Sequence, residues 1–211
     1  MIWWYCHDHG FPRSICHRKP GIQDVFRHIA NDQARTEAIA HEVKQAYSQG
    51  RKVLVLTERT EHLDAIKVSL EGLVPAPLVL HGRLSRRQRT ELIAELDALP
   101  PNAPRILLAT GKLVGEGFDH PPLNTLILAM PVSWKGTLQQ YAGRLHREHV
   151  SKTDVRIIDF VDAGHPALLR MWEKRQRGYR AMGYLIGSDN RVGLGLSMDT
   201  TSLPMQSSSS W

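Results

Sequence analysis

Short apolar runs and helical stripes alternate along the middle of this chain. Runs of aliphatic and β-branched residues predict five strands, at residues 52–57, 78–80, 105–109, 125–129 and 155–161. These runs are almost continuously apolar, which is typical of strands that are buried on both faces of a sheet. Between them, apolar residues recur every three or four positions, the spacing of one face of a helix.

Local signals mark the ends of several helices. Asp32 is a good N-terminal capping residue, and Gly50 is a good C-terminal stop for the helix that lies between them. Ser85 and Gln88 have the spacing of a capping box, which predicts the start of another helix. A last helix is predicted at about residues 167–182.

Alternating strands and helices predict an α/β fold with a parallel sheet and helices on both of its faces. Ligands of such folds gather at the carboxyl ends of the strands. Residues 1–20 show no sustained periodicity, so we expect an irregular N-terminal segment there, with a strand that arrives from a missing partner as the alternative. Residues 21–183 then form the domain with its N- and C-terminal flanking helices, and residues 184–211 form a flexible tail rich in Gly and Ser.

The composition narrows the class of protein. The 211 residues are 42% hydrophobic and carry a net charge of +6, which allows one good core and suits a polyanionic partner such as nucleic acid. The alternative is charge that only maintains solubility. Two cysteines imply no disulfide framework, and no apolar stretch is long enough to cross a bilayer. Residues 1–5 lack the features of a signal peptide, so we expect a cytoplasmic protein with no membrane partner.

Two segments carry candidate chemistry. The loop from Thr110 to Asp119 contains three glycines, and glycine-bearing turns after strands form natural cradles for anions. Asp119 could accept hydrogen bonds from ribose hydroxyls, or could be a plain turn residue. Further on, Arg144 and Arg147 stand three residues apart, which places both on one face of a helix. Guanidinium groups match phosphate oxygens, although a solvated pair of helix charges is the alternative.

Taken in order, these segments resemble a known family. Thr-Glu-Arg, His-Gly-Arg and Ala-Thr-(loop)-Glu-Gly-Phe-Asp each follow a strand, and Gln-x-x-Gly-Arg-x-x-Arg comes after them. The set resembles the second, C-terminal RecA-like lobe of superfamily 2 helicases and translocases, of the DEAD/DEAH-like kind, over about residues 50–165. The resemblance implies a RecA-like sheet and roles in ATP-driven movement on nucleic acid.

The resemblance also assigns residues. Arg147 is similar to the arginine finger of motif VI, and Arg144 to its companion on the terminal phosphate. Residues similar to nucleotide-binding ones are Gly115, Gly117, Asp119, Gln140 and Gly143. Residues similar to strand-binding ones are Thr57, Arg59, His81, Gly82 and Thr110. Thr110 departs from the family pattern in its spacing, because it lies one residue further from Glu-Gly-x-Asp than in many relatives.

Parts of an ATPase site are missing from the sequence. It contains no G-x-x-x-x-G-K-[S/T] and no Asp-Glu pair placed after a strand to hold magnesium. In the family that the chain resembles, those parts belong to a first RecA-like lobe, supplied in cis or in trans. ATP with Mg²⁺ is therefore expected only in the complete two-lobe enzyme, and this chain alone is not expected to hydrolyse ATP. The alternative is a stand-alone, non-catalytic module that binds nucleic acid or a protein partner.

Three further clusters have competing interpretations. Arginines at the start of one helix favour contact with a phosphate backbone over a solvated face, and they are Arg83, Arg86, Arg87 and Arg89. For the cations of the last helix, a solvated face is at least as good an interpretation as a second contact with nucleic acid. Cys6, His7, His9, Cys16 and His17 match no familiar zinc spacing, so no metal is predicted. DNA, rather than RNA, is the expected strand.

Overall fold

The computed structural model describes residues 2–7, 21–111, 118–132, 138–149, 152–162 and 164–188, the side chains of residues 2–7 and 188 excepted. The strands are β1 (Ile2–His7), β2 (Lys52–Thr57), β3 (Leu78–Leu80), β4 (Arg105–Thr110), β5 (Thr125–Leu128), β6 (Arg156–Asp162) and β7 (Ile186–Ser188). The helices are α1 (Ile22–Ala30), α2 (Gln33–Ser48), α3 (Thr60–Leu70), α4 (Arg86–Ala98), α5 (Gln139–Leu145) and α6 (Pro166–Ala181).

All seven strands join one parallel sheet in the order β3-β4-β2-β5-β6-β1-β7. This confirms the predicted α/β fold, and strands β2 to β6 lie where the apolar runs placed them, to within one residue at either end. The core is built from both faces of this sheet, because side chains of successive strand residues point in opposite directions.

The two ends of the described chain differ from the prediction. Ile2–His7, expected to be irregular, forms a strand between β6 and β7, and residues 186–188, expected to be part of a flexible tail, pair with it. The segment Ile2–Tyr5 is β-branched and aromatic, a composition that favours strands, but a six-residue strand with neighbours on both sides needs no alternation of polar residues. Residues 8–20 and 189–211 lie outside the described residues.

Helices cover both faces of the sheet. Helices α2 and α3 pack on one face against side chains such as Val53, Val55 and Ile127. On the other face, α4, α5 and α6 pack against the intervening residues, including Leu54 and Leu126. The described helices include none that is long and apolar enough to span a bilayer.

Polar side chains fix the ends of the helices as predicted. Asp32 accepts a hydrogen bond from the backbone N–H of Arg35 at 2.8 Å, which begins α2. The Ser85–Gln88 capping box is present, with both of its hydrogen bonds made. Gly50, with φ of 73°, follows the end of α2 in the left-handed conformation that favours glycine.

Two buried ion pairs attach helices to β6 from opposite faces. Arg175 of α6 donates to both carboxylate oxygens of Asp159, at 2.7 and 3.0 Å, on one face of the strand. Arg35 of α2 pairs with Asp162 on the other face and also donates to the carbonyl oxygens of Ala129 and Phe160. Burial lowers the pKa of Arg35 and raises that of Asp162, so their attraction works against the cost of desolvation.

We expect Arg35→Met to lower the free energy of unfolding by about 3–5 kcal/mol, because it leaves the Asp162 carboxylate buried without its partner. Urea denaturation measures this loss. The matched control is Arg27→Met, which removes an exposed pair with Asp24 and should cost less than about 1 kcal/mol. Equal losses in the two variants would contradict the structural role given to Arg35.

Candidate functional site

The predicted site residues form two groups at opposite edges of the sheet. Thr57 and Thr110 end β2 and β4, where they are neighbours in register at the carboxyl edge. Asp119 lies on the return path from β4 to the start of β5, next to His120. The His120 ring contacts Arg105, the first residue of β4. The Asp119 side therefore belongs to the amino edge, whereas the sequence placed every candidate just after a strand.

The Thr57 hydroxyl is directed into the protein. Its side chain is 2% exposed, its hydroxyl shares a 3.1 Å hydrogen bond with Nδ1 of His62, and it accepts a bond from the Arg59 N–H. The hydroxyl is thus engaged within the domain, and its contact with nucleic acid stays a prediction. Thr110 is 9% exposed, which leaves it little more access.

The remaining residues of the carboxyl edge are more open. Gly82, Arg83 and Arg86 are exposed, and Nδ1 of His81 accepts a hydrogen bond from the Arg83 N–H, which shapes the turn into α4. Arg59 donates to the backbone carbonyl and to the side-chain oxygen of Gln23, so its guanidinium is already engaged with α1. Arg83 and Arg86 therefore form the accessible cationic part of this edge.

At the amino edge, Arg144, Arg147 and Asp119 come together. Nη1 of Arg144 donates to the carbonyl oxygen of Phe118 at 2.6 Å, and Arg147 forms an ion pair with the Asp119 carboxylate. The Arg147 side chain stays 57% exposed and that of Asp119 31% exposed. The two guanidinium groups and the carboxylate are thus neighbours. The Arg147 guanidinium, which was expected to face a phosphate, is paired with Asp119 instead.

Arg147 also differs from the prediction in its backbone. Helix α5 ends at Leu145, and Arg147 lies in the turn beyond it, where its N–H donates to the carbonyl of Arg144 at 3.2 Å. The two arginines are therefore brought together by a tight turn, and not by one helix face. Gln140 and Gly143 are exposed on α5, whereas Gly115 and Gly117 lie outside the described residues.

A second set of contacts fixes the start of α5 at the carboxyl edge. Tyr141 donates its hydroxyl hydrogen to the carbonyl of Gly111, directly after β4. A Cβ atom on Gly111 would stand 2.6 Å from Oε1 of Glu58, so no larger residue fits without displacing that carboxyl. Burial raises the pKa of Glu58, and burial followed by the nearby Glu58 charge raises the pKa of Tyr141 to about 12.

His120 anchors the segment that carries Asp119. Arg105 donates to Nε2 of His120 at 2.9 Å, so the ring hydrogen lies on Nδ1 and is donated to Asp97, also at 2.9 Å. Burial lowers the pKa of His120, and its hydrogen bond to Asp97 opposes that shift. The sequence did not predict roles for Tyr141 and His120, because their contacts join residues that are far apart in the chain and have no characteristic spacing.

Among the residues that the structure describes, no group of three His, Cys, Asp or Glu side chains could hold a metal ion. The zinc candidates His9, Cys16 and His17 lie outside those residues, and only the backbone of Cys6 and His7 is described. Trp134, for which the sequence favours packing between loop and sheet over stacking on a base, also lies outside them.

Comparison with protein families shows which family the chain belongs to. Residues 34–149, more than half of the chain, match the model of the helicase conserved C-terminal domain. The chain belongs to this family. The match runs from α2 to the turn beyond α5, so it includes Arg144 and Arg147, as the motif order predicted.

Individual relatives agree with this assignment. The chain is 25% identical over 137 residues to the probable helicase D10 of Escherichia phage T5, a match of 65% of this chain and 30% of D10. It is 39% identical over 97 residues to the uncharacterized protein 108L of Invertebrate iridescent virus 3, covering 44% of this chain and 85% of that protein. T4 UvsW has a similar fold, with a TM-score of 0.65 at 18% identity over 90% of this chain and 41% of UvsW. This helicase C-terminal domain therefore spans less than half of D10 and of UvsW.

The buried His62 should make stability depend on pH. Burial, followed by the nearby Arg35 charge, lowers the pKa of His62 from 6.5 to about 3. Between these pH values the unfolded chain binds the proton and the folded chain does not. Stability therefore falls on acidification below 6.5, by up to about 1.4 kcal/mol per pH unit from this group.

Urea denaturation from pH 7 to pH 4.5 measures this dependence. His62→Gln should flatten the decline relative to the parent chain, and His41→Gln, on the exposed side of α2, is the matched control. The same slope in the parent chain and in His62→Gln would show that His62 is not the responsible group.

Proposed function

We propose that this domain is the second RecA-like lobe of an ATP-dependent nucleic-acid helicase or translocase. Arg144 and Arg147 would contact the phosphates of ATP in a cleft that a first lobe, in cis or in trans, completes. Asp119 would accept hydrogen bonds from the ribose hydroxyls. The first lobe would provide the phosphate loop and the magnesium ligands, since the sequence has neither motif.

The observation that carries this proposal is the gathering of Arg144, Arg147 and Asp119 at one exposed edge. Two segments that are far apart in sequence meet there: the end of α5 with the turn beyond it, and the approach to β5. Guanidinium donors suit phosphate oxygens, and a carboxylate suits ribose hydroxyls, so the set fits a nucleotide. ATP with Mg²⁺, when bound, supplies the phosphoryl chemistry, and the arginines contribute charge stabilisation and orientation.

A bound nucleotide would have to compete with Asp119 for the Arg147 guanidinium. For Arg147 to reach a phosphate, its guanidinium has to leave Asp119 or share it. The pair is solvent-accessible on both sides, and exposed ion pairs contribute little free energy. A phosphate can therefore replace the carboxylate at small cost, and the released carboxylate is then available to the ribose.

The accessible cations at the carboxyl edge are the proposed contact with nucleic acid. Arg83 and Arg86 are exposed where α4 begins, a position at which positive charge opposes the helix dipole and an external anion compensates. Contacts of this kind reach phosphates and carry no base specificity. DNA is the proposed strand, and RNA of the same length is the competing ligand.

A stand-alone binding module is the second candidate. It is favoured by protein 108L, because 44% of this chain matches 85% of that protein, which leaves little of 108L outside the match. Such a module would use the Arg83 and Arg86 surface but would have no use for an arginine directed at ATP.

Binding of single-stranded DNA tests the strand surface. We expect Arg83→Ala/Arg86→Ala to weaken binding and to reduce the slope of log affinity against log salt by about 1.4, because about 0.7 is lost for each phosphate contact. The matched control is Lys44→Ala/Lys67→Ala, which removes the same charge from exposed positions of α2 and α3 on the other face. An equal change in both double variants would mean that net charge alone drives binding.

ATP turnover and strand binding together test the assignment of Arg147. The chain alone should show no DNA-stimulated turnover, and Arg147→Ala should leave its DNA affinity nearly unchanged, because the residue is assigned to phosphate chemistry at the other edge. Once a first lobe restores turnover, Arg147→Ala should lower it by about 10³-fold or more. A large loss of DNA affinity in this variant would reassign Arg147 to the strand.

A further inference from the structure

Lys152 makes an unusual pair of contacts just beyond the arginines. Its ammonium group donates to the carbonyl oxygens of Leu145 and Arg147, each at 2.8 Å. Leu145 is the last residue of α5, and carbonyls at a helix end have no partner within the helix. One side chain, five positions after Arg147, therefore closes both the helix and the turn that carries Arg147.

The charges around Lys152 fit this arrangement. A cation at the C-terminal end of a helix is favoured by the helix dipole. Burial lowers the pKa of Lys152, and the nearby Asp119 carboxylate opposes that shift. Asp119 therefore has charges of opposite sign on two side chains, the paired Arg147 and the nearby Lys152. Lys152 and Arg147 border an open hollow that they share with His146, Glu148 and His149.

We propose that Lys152 is the positioning residue of Arg147. It fixes the Arg147 backbone through the carbonyl oxygen, so that only the side chain has to turn from Asp119 towards a phosphate. The proposal rests on the function proposed for Arg147, but its geometry does not depend on a bound nucleotide.

A merely structural role would have different consequences. If Lys152 only capped α5, its loss would loosen the helix end and Arg147 equally, or would lower overall stability without a selective effect. A positioning role predicts that the backbone of the Arg147 turn loses its order first, while the start of α5 remains held by the contact between Tyr141 and Gly111. The order of the Arg147 backbone is therefore the quantity to measure.

Amide hydrogen exchange, followed by NMR of the ¹⁵N-labelled chain, reads the Arg147 backbone directly, because its N–H donates to the carbonyl of Arg144 in the turn that Lys152 closes. In Lys152→Met, which keeps the length of the side chain but loses its donors, we expect the Arg147 amide hydrogen to exchange with water about tenfold faster, the factor for one lost charge-assisted hydrogen bond. Lys152→Arg, which retains charge and donors, should restore most of the protection. Lys44→Met, on an exposed face of α2, should change nothing.

Two results would overturn the proposal. One is an unchanged exchange rate of the Arg147 amide in a folded Lys152→Met chain, and the other is equal loss of protection at Arg147 and at the amides of residues 141–145. If Lys152→Met does not fold, Lys152→Gln, which keeps an amide donor, is compared with Lys152→Arg in the same way. The readout needs neither nucleotide nor nucleic acid, so a failure here is distinct from a failure in the strand-binding and turnover measurements.

Discussion

The structure depends on the burial of β6 from both sides by charged partners. Asp159 and Asp162 point to opposite faces of that strand, and each carboxylate holds an arginine from the helix that covers its face. Tyr179 adds its hydroxyl to Asp159 at 2.9 Å. Loss of either partner of such a pair is strongly destabilising, because the remaining charge would be buried in an apolar interior without a counter-charge. The two helix layers are therefore attached to one strand near the middle of the sheet.

That attachment leaves the edges of the sheet for function. The carboxyl edge offers the exposed arginines at the start of α4, while the amino edge gathers Arg144, Arg147 and Asp119. Helix α5 connects the two edges: Tyr141 ties its first turn to Gly111, and Lys152 ties its last turn to the following loop. The same helix thus contacts the segment next to the proposed strand surface and the segment next to the proposed nucleotide.

Much of the fold could be predicted from the sequence, because strands buried on both faces have continuous apolar runs. Strands β2 to β6 and the Ser85 capping box follow from such local signals. β1 could not be predicted in this way, since its order comes from hydrogen bonds to β6 and β7, far away in sequence. The family was also within reach, because it depends on the order of motifs and not on the direction of any side chain.

The details of the candidate site were harder to predict from the sequence. Whether a threonine after a strand faces solvent depends on its neighbours, and Thr57 turns inward to His62. The pairing of Arg147 with Asp119 joins residues 28 positions apart, and nothing local specifies it. Lys152 resembles any other loop lysine until the carbonyls of Leu145 and Arg147 are placed beside it. Site chemistry therefore had to be found from three-dimensional contacts.

The seven-residue length of α5 has a consequence of its own. A helix that is held at its first turn and again at its last behaves as a spacer of fixed size. One inserted residue would rotate everything beyond it by about 100° and advance it by about 1.5 Å. Arg144 would then swing away from Phe118, and Lys152 would no longer meet the carbonyls that it closes. Exposed positions such as Gln139 can change identity freely by comparison, so the number of residues in this helix is more constrained than the identity of its exposed side chains.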